Sequence, residues 1–72
     1  MRFLTEIQIM KDGTKAALPI TFFDSAKSAE IAFHQAVASN MASEVLGSFL
    51  VTVTTETGYT ELSRYYNFSE EE

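Results

Sequence analysis

The stretch 24–41, DSAKSAEIAFHQAVASNM, decides the fold. It holds no Gly or Pro, is rich in Ala and poor in β-branched residues, so intrinsic propensity favours helix along its length. Asp24 or Ser25 can cap it by offering a side-chain oxygen to the free N–H groups of the first turn. Ala29, Ala32, Phe33, Ala36, Val37 and Met41 recur at three- and four-residue spacing and form one apolar stripe. Most of these are small, which predicts a helix lying close to its sheet with Phe33 as the main knob. Lys27, Gln35 and Ser39 fall on the solvent side. Ile31 also faces outward, with Ala38 and Ala42 on a thin second strip, and is a candidate partner contact.

On the N-terminal side, residues 2–23 read as a hairpin. Asp12-Gly13 is a preferred dipeptide for a two-residue type I′ turn, in which both residues need positive φ. With the turn there, Ile9 opposes Ala16, Ile7 opposes Leu18, Thr5 opposes Ile20 and Phe3 opposes Phe22. These pairs lie on one face and nearly all are apolar, while Gln8 with Ala17, Glu6 with Pro19 and Leu4 with Thr21 fall on the other. Pro19 lacks an N–H and predicts a strand at the sheet edge.

On the C-terminal side, residues 45–68 read as a second hairpin. The run 49–55, FLVTVTT, is the most β-prone of the chain. A turn at Thr57-Gly58 pairs Val53 with Leu62, Val51 with Arg64, Phe49 with Tyr66 and Gly47 with Phe68. A longer loop of Glu56-Thr57-Gly58 reverses the relative facing.

The expected fold class is therefore α+β: a single-domain ββαββ chain whose four-stranded, mainly antiparallel sheet carries one helix on one face. Counting strands in chain order, 2-1-3-4 makes the sheet fully antiparallel and buries the Val-rich third strand. The alternative, 2-1-4-3, places the first and last strands side by side in parallel. The hairpin–helix–hairpin spacing resembles the small immunoglobulin-binding β-grasp domains of bacterial surface proteins, which use that second order. The resemblance covers layout and implies no functional residue.

A chain of 72 residues forms one small domain with one core, here placed at 1–69 with an acidic tail at 70–72. Without Cys it has neither disulfides nor Cys-based zinc sites. The net charge of −5 owes three units to Glu70, Glu71 and Glu72; the rest sets five basic against seven acidic residues, or −2. No basic patch suits a phosphate backbone, and no apolar run has signal-peptide or membrane-spanning length. A cytoplasmic location is the expectation.

Chemistry finds little support. His34 has Glu30 one helical turn before it, an incomplete metal pair and an acid–base pair without a nucleophile. An ordinary i,i+4 contact accounts for both. Gly13, Gly47 and Gly58 are isolated and form no phosphate loop. The serines sit in no nucleophile motif. Arg64-Tyr65-Tyr66 alternates across both faces of a strand, whereas a nucleic-acid platform needs its aromatics on one face. The reading is thus non-catalytic, with no cofactor or metal.

One helix covers one face of a sheet. Leu4, Leu46, Leu50 and Tyr65 are expected on the uncovered face, beside Met10 and Phe23 and among Glu6, Gln8, Thr52, Thr54 and Glu61. Such a cluster on a small domain points to an interface, and a homodimer is its simplest form. The expected behaviour is a protein-interaction module that self-associates or docks another protein, with Ile31 as a second candidate contact. The alternative is a nucleic-acid-associated regulator using Lys11, Lys15, Arg64 and Tyr65.

Overall fold

Both hairpins close with the same device. A computed structural model describes residues 1–68, so the acidic tail expected at 70–72 lies outside the described residues. In the first turn the Gly13 N–H donates to the Met10 carbonyl and the Met10 N–H to the Thr14 carbonyl, at 2.9 and 2.8 Å. The second turn repeats this pattern, Gly58 to Thr55 and Thr55 to Tyr59, at 3.0 and 2.8 Å. Each loop is therefore three residues long and ends on a glycine at φ +92° (Gly13) or +91° (Gly58), the three-residue hairpin alternative to a type I′ turn. The Asp12 carboxylate accepts from the Thr14 N–H at 2.9 Å, and this bond holds its pKa below the ordinary carboxylate value.

The extra loop residue has different consequences in the two hairpins. In the first, β1 (Arg2–Met10) pairs with β2 (Lys15–Ala17), and Ile9 meets Lys15 where Ala16 is expected. The strand then breaks over Leu18, Pro19 and Ile20, which contain one residue more than the facing part of β1. This restores the expected register in β3 (Thr21–Phe23), where Phe3 meets Phe22 and Leu4 meets Thr21. β2 and β3 thus lie in line along one edge of β1, with Pro19 on that edge.

In the second hairpin, β4 (Leu46–Thr55) pairs with β5 (Thr60–Asn67). Here the correction is immediate: a bulge leaves Glu61 without a partner, between Thr54 opposite Thr60 and Val53 opposite Leu62. The longer loop forms, yet Val53, Val51 and Phe49 meet Leu62, Arg64 and Tyr66 as expected from the shorter one.

The sheet order is β2-β1-β4-β5, with β3 beside β1, and every pairing is antiparallel. This is the 2-1-3-4 arrangement, with β2 and β3 together forming the expected second strand. The parallel central pair of a β-grasp is absent among the described strands. The helix α1 (Ala26–Met41) starts from Ser25, whose hydroxyl accepts from the Ser28 N–H at 3.1 Å. Its small-residue face lies against the sheet: Ala29 is fully buried, Phe33 nearly so, and Ala32, Ala36 and Val37 pack partly buried against the core. Phe49, Val51 and Val53 of β4 meet this face, joined by Leu4 and Leu46. Beside them Phe49 stacks with Tyr66 at 6.3 Å, and Phe68 contacts both rings.

The expected orientations of Leu4, Met10, Phe23 and Leu46 are corrected. Leu4 is buried under the helix rather than on the open face, because antiparallel partners share a face and Leu4 partners Val53. Met10 and Phe23 likewise pack against the core. Leu46 is buried because a bulge at Gly47 interrupts alternation: Ile9 meets Ser48, but Met10 meets Leu46. A side chain at Gly47 would press on the Met10 and Ile9 carbonyl oxygens, at 3.3 and 3.4 Å from an added Cβ.

Candidate functional site

The turned β1 changes both faces of the sheet. Glu6 and Gln8 now lie half-buried on the helix side, opposite Val51 and Phe49. Asn40 of α1 comes down between them and is 4 % exposed. Its amide nitrogen donates to the Glu6 carboxylate at 3.0 Å, and its oxygen accepts from the Gln8 side chain at 2.8 Å. Gln8 also donates to Glu6, at 3.0 Å. The triangle satisfies polar groups whose isolation here would be costly. Sequence reasoning missed Asn40 and placed Met41 on the stripe. Position 40 has the right spacing, four residues from Ala36 and three from Val37, but polarity excluded it.

The open face receives the other residues of β1. Its rows follow from the strand registers, since residues directly opposite one another share a face. One row across the sheet runs Thr5, Thr52, Ser63. On one side of it lies the row Phe22, Phe3, Thr54, Thr60. On the other side lies Ala17, Ile7, Leu50, Tyr65, followed by Lys15, Ile9, Ser48, Asn67. Phe3 and Phe22 meet edge-to-face at 5.1 Å. Phe22 and Tyr65 are 61 % and 58 % exposed.

Lys15, at one corner, is the one charged residue in these four rows. The Glu6 that alternation could have put here sits with Asn40, and Arg2 engages Glu61 through its guanidinium. A sheet face left to water ordinarily alternates toward charged and polar side chains. This one sets Phe3, Phe22, Ile7, Ile9, Leu50 and Tyr65 among small hydroxyl residues and is uncharged but for Lys15.

Of the five residues expected to make contacts, the structure keeps Leu50 and Tyr65 together as direct cross-strand partners on the open face. Leu4 and Leu46 belong to the core. Ile31 stands on the opposite side of the molecule, on the helix, 51 % exposed. Phe3, Ile7, Ile9 and Phe22 replace the lost leucines. The hairpin pattern had grouped them correctly with one another but turned that face toward the helix.

The remaining chemical candidates are dispersed. His34 and Glu30 stand 3.6 Å apart on the exposed side of the helix. Among the described residues, no group of three or more His, Cys, Asp or Glu side chains gathers to hold a metal ion. Arg64 opposes Val51 on the helix side and lies 5.6 Å over the Tyr66 ring, whereas Tyr65 is on the open face. Lys15 and Tyr65 therefore share the open face, while Arg64 stands on the other side of the sheet. An open cleft of about 540 Å³ runs between the first turn, the start of β4 and Phe68, floored by Met10 and Leu46. Its polar rim of Lys11, Ser43, Ser48 and Asn67 includes no paired acid and base.

Among the described residues, no helix is long and apolar enough to cross a membrane. No family model, curated protein or solved structure matches this chain.

Proposed function

We propose that the chain is a small non-catalytic protein-interaction module that docks protein through the open face of its sheet. The observation that supports this reading is the neutrality of that face. Interface cores are depleted in charged residues and enriched in aromatics, and here three successive rows carry Phe3, Phe22, Ile7, Leu50 and Tyr65 with no charge. The fold keeps that surface apolar by holding Glu6 beneath the helix.

The test compares sedimentation velocity of the wild type, Leu50→Glu and Ile31→Glu over a concentration series, with circular dichroism on each. Leu50→Glu is expected to keep the native spectrum and lose association, while Ile31→Glu keeps both. Association that survives Leu50→Glu but not Ile31→Glu would move the contact to the helix.

A further inference from the structure

Resting on that reading, we infer that the partner covering the face is a second copy of this chain, related by a two-fold axis along the row Thr5, Thr52, Ser63. The rows flank that axis evenly. Phe3 and Ile7 lie two residues to either side of Thr5, and Thr54 and Leu50 two residues to either side of Thr52. A two-fold axis along the hydroxyl row, in the plane between two facing sheets, lays each flanking row of one copy over the other flanking row of its partner.

The side-chain sizes then match. Phe22 falls over Ala17 of the second copy, and Thr60 under its Tyr65. Thr54 meets Leu50. Phe3 meets Ile7 near the middle of the face, aromatic on aliphatic. Three of the four pairings set a large side chain against a smaller one, as interdigitating layers require. Sheets packed face to face keep their strands within about 30° of one another, and so compact an overlap tolerates that rotation.

Charge and area agree with the size match. A chain of net charge −5 resists meeting its own copy, but the contacting rows hold no carboxylate. The short Ser and Thr side chains on the axis let the faces approach. The axis stands three residues from the Arg2, Thr55 and Thr60 ends of the strands, so about seven residues of each overlap; at ~3.4 Å rise, four abreast at ~4.8 Å spacing, they give about 450 Å² per face. Two such faces remove about 900 Å² from water, in the size range of weak, transient interfaces. The association is therefore expected to be concentration-dependent in the micromolar range.

Single cysteines test the axis cleanly, since the chain has none of its own. Thr52→Cys lies on the axis and faces its own copy. Thr57→Cys, at the tip of the second turn, lies about 30 Å from its counterpart by strand rise. With a short bis-maleimide, Thr52→Cys is expected to form covalent dimer at least ten-fold faster than Thr57→Cys. Adding Leu50→Glu should abolish the difference. A wild type that sediments as a monomer at several hundred micromolar overturns the second copy and leaves the face to a different protein. A dimer that cross-links equally at both positions and survives Leu50→Glu overturns both the copy and the face.

Discussion

Asn40 shows how one residue can turn a strand over. It is a polar side chain on the apolar stripe of a helix, and it gives Glu6 and Gln8 partners on the covered side of β1. Replacing it with Leu removes one hydrogen bond from each and leaves only the bond between them, and the expected loss is about 1–3 kcal/mol of unfolding free energy by urea denaturation. Asn40→Asp adds a sign. It removes the donor and sets a second carboxyl beside Glu6, and like charges raise the pKa of the new group. A carboxyl whose pKa is raised by folding destabilises the protein at high pH and less as it protonates. The deficit of Asn40→Asp against the wild type should therefore shrink between about pH 7 and about pH 4. A deficit that does not change with pH would separate position 40 from the Glu6 charge. The sequence carries the spacing signal for this residue, but polarity hides it: a buried Asn becomes legible only once the residues meeting it are known.

Among the elements, turn chemistry carried most of the information and also produced the main error. Both glycines that end the loops were identified as turn residues, but Asp12-Gly13 suggests a two-residue turn and the loop contains three. Lys11 makes the difference, because a type I turn followed by one glycine at positive φ suits the same dipeptide. Position 58 offers a direct check. An added Cβ there meets nothing within 4 Å, so any cost of Gly58→Ala comes from the backbone alone. It should destabilise the protein by about 1 kcal/mol, with Gly58→Asn costing less because Asn tolerates positive φ. Equal losses for Ala and Asn in denaturant melts would contradict the three-residue loop. The two bulges were not legible. Glu61 breaks alternation without a sequence mark; Gly47 carries one, since a lone Gly inside a strand often marks a bulge, but pairing it with Phe68 hid that, and the bulge decides that Leu46 is core.

At the scale of the whole molecule, strand order and helix placement were legible because they follow from the apolar content of the strands. The Val-rich run takes the centre and the Pro-containing strand takes the edge. Facing was not legible for β1, since its two sides are both rich in apolar residues: Leu4 and Met10 on one, Phe3, Ile7 and Ile9 on the other. Only pairing with β4 resolves the choice, and its paired residues stand 36 to 53 apart in the chain. The more apolar side ends up outside, and the functional reading depends on this. The most direct test is therefore a circular dichroism melt of Leu4→Glu beside Ile7→Glu, two substitutions of the same kind three residues apart on one strand. The structure predicts that Leu4→Glu loses its cooperative transition, because a charge enters the core with no partner. Ile7→Glu should keep native secondary structure and melt cooperatively. A folded Leu4→Glu beside an unfolded Ile7→Glu would turn β1 back over, and the neutral open face would no longer exist.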